Sequence, residues 1–175
     1  MTTTTSAPRP QTAPRIVASQ LITPCLWFDD RIEEAANLYV SVFEDSRVLK
    51  VARYGDAGPL PAGKVMTIEF ELAGQKFMAL NGGPRFPFSP AVSFAVRCET
   101  QAEVDYFSAA LTAGGGKQGH CGWLEDRFGL SWQIVPEALV RYASDKDPAK
   151  AGRVMAAMMQ MMKIDIAALD KAYAG

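Results

Sequence analysis

Twice along the chain a β-favouring run leads into a helix with an Asp/Thr-x-x-Glu start and then into further β-favouring runs. The first unit opens with Leu21 to Phe28. Extended backbone there puts Thr23, Cys25 and Trp27 on one face and Ile22, Leu26 and Phe28 on the other, with Pro24 marking an edge or a bulge. Asp30 and Glu33 have the spacing of a capping box, and Ile32, Ala35, Ala36, Tyr39, Val40 and Phe43 form one apolar helical stripe behind it. A strand over Arg47 to Tyr54 follows, then a Gly/Pro-rich loop. Next comes strict alternation, with Met66, Ile68, Phe70 and Leu72 on one side and Thr67, Glu69 and Glu71 on the other. Ala73-Gly74-Gln75 turns the chain into a partner strand ending at Asn81.

The second unit repeats that order without repeating its residues. Val92 to Cys98 reads as a strand, Thr100 and Glu103 as a capping box, and Val104, Phe107 and Leu111 as a buried stripe stopped by Gly114-Gly115-Gly116. The stretch from Gly119 to Pro136 supplies short strands around an Asp126-Arg127-Phe128-Gly129 turn, and holds the single histidine and two of the three tryptophans. A β-α-β-β-β order recurring at about 50 to 60 residues predicts an α+β fold. Two such modules, about 20-84 and 90-136, would form a curved mixed sheet. Residues 137-175 read as a helical extension, with Asp147-Pro148 at a helix start and a broad apolar face made by Val154, Met155, Met158, Met159, Met161 and Met162.

Composition narrows the setting. Residues 1-19 are biased to Thr, Pro and Ala and lack the apolar centre of a signal peptide, so they are expected to be a disordered tail. A formal net charge of −1 gives no footprint for nucleic acid, and no apolar run is long enough to span a membrane. Cys25, Cys98 and Cys121 are odd in number and widely spaced, which argues against a disulfide framework or a thiolate zinc motif and for the reducing cytoplasm.

Doubled β-α-β-β-β units closing on an Asp-x-x-Gly turn resemble the vicinal oxygen chelate superfamily of glyoxalase I, extradiol dioxygenases and bleomycin-resistance proteins. Closer still, Ile22 to Phe28, Glu34 to Tyr39, Arg53-Tyr54-Gly55, Ala79 to Gly83 and Asp126 to Gln133 look like its PhnB-like subgroup, some of whose members carry the name 3-demethylubiquinone-9 3-methyltransferase. The resemblance implies a ligand cup lined by the sheet, and a homodimer in which modules complete one another's sheets. In metal-using relatives the ligands come from strand positions that here match Thr23, Ala79 or Asn81, Ser93 and Gln133. None of these is a histidine or carboxylate, so neither a metal nor another cofactor is expected. A methyltransferase using S-adenosylmethionine needs a glycine-rich strand-to-helix turn, whereas Gly114 to Gly116 follows a helix.

The candidate ligand-binding residues are Thr23, Cys25, Trp27, Glu69, Asn81, Ser93, Trp123 and Gln133. Phe86 and Phe88 are further apolar lining residues, and a small organic molecule is the expected partner. A lyase or isomerase in which Glu69, His120 or Cys25 handles a proton is the alternative. A ubiquinone-pathway methyltransferase is the third reading, resting on the inherited family name alone.

Overall fold

The computed structural model describes residues 20–175, so the expected tail over residues 1–19 lies outside the described residues. The first module runs β1 (Cys25–Phe28), α1 (Ile32–Val42), β2 (Arg47–Arg53), β3 (Val65–Leu72) and β4 (Gln75–Asn81). The second runs β5 (Ser93–Cys98), α2 (Gln101–Thr112), β6 (Lys117–Gln118), β7 (Trp123–Glu125) and β8 (Ser131–Pro136). Among the described residues the strands form two four-stranded mixed sheets, ordered β1-β4-β3-β2 and β5-β8-β7-β6. In each sheet the first and last strands of the module pair in parallel and the other neighbours are antiparallel. The second sheet therefore repeats the first strand for strand.

The two helix starts differ. Thr100 accepts from the Glu103 amide while the Glu103 carboxylate takes the Thr100 amide, completing a capping box at α2. The box expected at Asp30 does not form: Arg31 occupies the N-cap position without a side-chain cap. The Asp30 carboxylate instead takes Lys64 Nζ at 3.1 Å and Asn81 Nδ2 at 3.4 Å. A paired ammonium and an amide donor from two other elements outcompete the local amide, because charge-assisted bonds are the stronger ones. The first strand is also shorter than expected. Pro24 has no amide hydrogen to enter the ladder, so regular pairing begins at Cys25, although the Pro24 carbonyl accepts from Met78 N.

The core lies between the two sheets. Tyr39 on α1 packs its ring against Phe70 of the first sheet and Trp132 of the second, at centroid distances of 6.2 and 5.4 Å. Phe43 follows the last residue of α1 in an extended conformation and turns to stack on Phe107 and Trp132, while Val42 takes the buried position on the helix. Phe77 meets Phe94 edge-on at 5.1 Å. Core-facing side chains of both sheets thus meet across the helices, and the opposite face of each sheet points away from that shared core.

The C-terminal extension carries α3 (Glu137–Ala143), α4 (Pro148–Met158), capped by Asp147, and α5 (Ile166–Ala174), capped by Asp165. Leu139, Val154, Ile164 and Leu169 make its own small core, with Met158 and Met161 packed against it. The expected methionine face is split, since Met155, Met159 and Met162 stay exposed. Main-chain bonds from Cys121 and Gly122 to the carbonyls of Met161 and Met162 tie the extension to the approach to β7. Gly122 has φ +80°, and a Cβ there would stand 2.7 Å from the Ile134 carbonyl oxygen, so this junction requires glycine.

Candidate functional site

The outward face of the first sheet is set by register. Cys25 pairs with Met78 and Glu69 pairs with Met78 from the other side, while Trp27 and Thr67 flank Leu80 in the same way. Six side chains, Cys25, Trp27, Thr67, Glu69, Met78 and Leu80, therefore share one face. Glu69 and Cys25 are exposed on it and the other four are half-buried. Two strand spacings put Cys25 and Glu69 about 10 Å apart. Trp27 is fixed at one end: its Nε1 donates to the Gly83 carbonyl at 2.8 Å, and its indole occupies the space where a Cβ on Gly82 would stand. The ring meets Phe86 edge-on at 5.0 Å. Trp27, Phe86 and Phe88 line a cavity of ≈ 340 Å³ with Asp29, Glu125 and Phe128. Trp123 is not among its walls.

The outward face of the second sheet carries Ser93, Trp123 and Gln133. Trp123 and Gln133 are register partners, and Gln133 Nε2 donates to Ser93 Oγ at 2.8 Å. Arg97 shares this face and pairs with Glu137 at 2.9 Å. His120 is exposed in the loop before β7, and Cys121 beside it is half-buried with its sulfur 3.7 Å from Met159 Sδ. Within one chain, then, Cys25, Trp27 and Glu69 are brought together, as are Ser93, Trp123 and Gln133, but the two groups lie on different sheets. Thr23 is exposed ahead of β1.

Asn81 belongs to neither group. It shares the core-facing side of β4 with Phe77 and Ala79, is 2% exposed, and donates to the Val65 carbonyl and to Asp30. Cys25 is exposed as a residue, yet partial desolvation of its sulfur raises the thiol above its ordinary value and weakens it as a nucleophile. Cys98 is buried in the core, and burial pushes its thiol up to about 11.

Sequence reasoning missed the group on which the second module turns. Asp126 is 1% exposed and accepts four hydrogen bonds: from Tyr39 Oη at 2.7 Å, Trp132 Nε1 at 3.0 Å, and the amides of Phe128 and Leu130. One carboxylate thereby closes the β7–β8 turn and joins it to α1 of the other module. Its signal in the sequence was an ordinary turn acid.

The residues do not suit a metal. At the strand-matched positions Ser93 and Gln133 satisfy each other, Asn81 and Ala79 face the core, and Thr23 stands outside the sheet. Neutral hydroxyl and amide oxygens are weak ligands for zinc or a divalent transition metal. Among the described residues no group of three His, Cys, Asp or Glu side chains is placed to hold one.

Residues 20–135 match the family described as 3-demethylubiquinone-9 3-methyltransferase. The chain belongs to that family. A solved structure of a putative 3-demethylubiquinone-9 3-methyltransferase, PhnB protein, from Bacillus cereus is 36% identical, with 67% of this chain and 99% of that one covered and a TM-score of 0.61. A Pseudomonas aeruginosa protein is 25% identical over 68% of this chain and 98% of its own, with a TM-score of 0.56. The fosfomycin resistance protein FosX of Listeria monocytogenes, 15% identical over 73% of this chain and 98% of that one, shares the fold with a TM-score of 0.51. No curated protein matches the chain. This is a PhnB-type protein, and its α+β architecture of two repeated modules is that of its relatives. Residues of the C-terminal extension lie beyond the family match.

The methyl donor that the family's description brings to mind does not fit this chain. Gly114 and Gly115 have φ of +74° and +116° and end α2, with the chain passing into the edge strand β6. A dinucleotide-type cradle needs such glycines between a parallel strand and the N-terminus of the next helix.

Proposed function

We propose that this PhnB-type chain binds a small organic molecule, without a metal, on the outward face of its first sheet. The observation that carries the reading is the composition of that face. Trp27, Met78 and Leu80 make an apolar floor, and Thr67, Glu69 and Cys25 add a few polar groups, which is the make-up of small-molecule sites. An open sheet face buries little of a ligand, so the site needs a second wall. In the proposed homodimer, modules complete one another's sheets, and the Ser93, Trp123 and Gln133 face of a second copy supplies that wall. The exposed thiol of Cys25 and three free cysteines accord with a cytoplasmic location.

The proton-transfer alternative gains less support. His120 stands on the other module, the Cys25 thiol is raised by desolvation, and among the described residues Glu69 has Lys50 as its cross-strand neighbour and no hydrogen bond to a nucleophile. The methyltransferase reading has the family description behind it and, among the described residues, no glycine-rich turn between a strand and the start of a helix to cradle the methyl donor.

A thermal-shift screen of uncharged and weakly polar organic molecules tests the binding reading. A ligand at 100 times its dissociation constant should add about 2.7 kcal/mol of stability. The gain should survive chelator treatment and be lost in Leu80→Arg, which puts a charge into the apolar floor. A hit that requires added zinc, nickel or manganese would refute the metal-independent reading.

A further inference from the structure

The two modules part at one end of their shared core. Phe43, Phe77, Phe94, Phe107, Tyr106 and Trp132 line a cleft of ≈ 820 Å³ there, drawn from both sheets and both helices. It opens between the β3–β4 turn on one side and β5 and α2 on the other, with core-facing side chains for its inner wall and Ala95 and Arg97 of the edge strand β5 at its mouth. Its inner wall is fixed by aromatic contacts: Phe43 stacks on Phe107 at 5.3 Å and on Trp132 at 5.6 Å, and Phe94 leans on Trp132 at 5.7 Å. Phe94 points to the core yet stays half-buried, and Tyr106 is 50% exposed, because the cleft separates them from the side chains that would otherwise cover them.

The polar groups around the mouth define what would enter. Tyr106 Oη is spent on the Val42 carbonyl at 3.1 Å, Arg97 on Glu137, and the Glu103 carboxylate on the start of α2. Glu44, Asp45 and Glu103 then place three carboxylates at the rim against one guanidinium that is already paired. An anion would be repelled, and a strongly polar molecule would find few free donors. We infer that this inter-module cleft is a second binding site, specific for an uncharged, ring-bearing organic molecule. The volume is within the range of small-molecule sites, which favour domain junctions. Apolar walls of this kind hold water poorly and gain from contact with an apolar guest.

A matched pair of fluorescent probes tests the inference on the full chain. Neutral N-phenyl-1-naphthylamine and anionic 1-anilinonaphthalene-8-sulfonate present nearly the same rings. The neutral probe should bind at one per chain, and the anionic one about tenfold more weakly or less. Ala102 also lines the cleft and is exposed on the first turn of α2, so Ala102→Trp fills the space at small cost to the fold. That variant should lower neutral-probe affinity about tenfold. Leu80→Trp, on the outward face of the first sheet, should leave it unchanged. Thermal melts confirm that both variants fold. Equal binding of the two probes, neutral binding that survives Ala102→Trp, or binding that is lost in Leu80→Trp would each overturn the assignment.

Discussion

At the scale of single residues, the Tyr39–Asp126–Trp132 group is where chemistry and stability meet. A phenol and an indole donate to one carboxylate oxygen inside the core, and two turn amides occupy the other. Burial, reinforced by the Asp126 charge, raises the Tyr39 hydroxyl well above its ordinary value. Burial also raises Cys98 from 9.0 to about 11, with Glu103 adding to the effect. Both groups hold their protons more tightly in the folded chain than in the unfolded one. The folded state therefore binds more protons at alkaline pH, and stability falls as pH rises. The contribution is complete below the unfolded values, 9.0 for the thiol and about 10 for the phenol, and is lost as pH climbs through the folded ones. Melting temperatures measured from pH 7 to 11 should be flat and then drop from about pH 9 upward. Tyr39→Phe should cost about 1.5 kcal/mol at neutral pH, for one hydrogen bond to a charged group, and should soften the alkaline drop. An unchanged alkaline limb in that variant would assign the loss to other groups.

At the scale of elements, two helix starts that read alike in sequence are built differently, and substitution should separate them. Thr100→Ala removes a cap that the structure uses, so urea unfolding should register a loss of about 1 kcal/mol. Asp30→Ala removes no cap. It loses an exposed pair with Lys64 and a long contact from Asn81, for about 0.5 kcal/mol. Equal costs would argue against the distinction. The reason only one start was legible is physical. A capping box is closed by residues three apart, whereas the competitors for Asp30 arrive from a loop and a strand far along the chain. The same division runs through the rest of the fold. The alternation of β3, the stop at Gly114 and the Asp147-Pro148 helix start are local signals, and each marks the element it suggested. The face of β4 was not local: the pairing of Glu69 with Met78 is what turns Asn81 into the core. Asp126 escaped notice because its value comes from Tyr39, 87 residues away.

At the scale of the whole molecule, the two outward sheet faces call for a cover. Half-buried Trp27, Met78 and Leu80 on one face, and Trp123 and Val135 on the other, leave apolar surface on both sides of a shared core. Exposed apolar patches of this kind mark association sites, and self-association closes most readily as a twofold dimer. The proposed dimer brings unlike faces together, so that each cup takes one wall from each copy. Light scattering should then give twice the 19.0 kDa chain mass at micromolar concentration. Cys25 supplies a local reporter, being exposed in the single chain where Cys98 is buried and Cys121 is half-buried. Closing the cup covers Cys25, so its rate of modification by a bulky maleimide should fall as concentration rises through the association range. A mass of one chain at every concentration, together with a Cys25 rate that does not depend on concentration, would leave the cup with a single wall. The ligand would then have to be sought in the inter-module cleft instead.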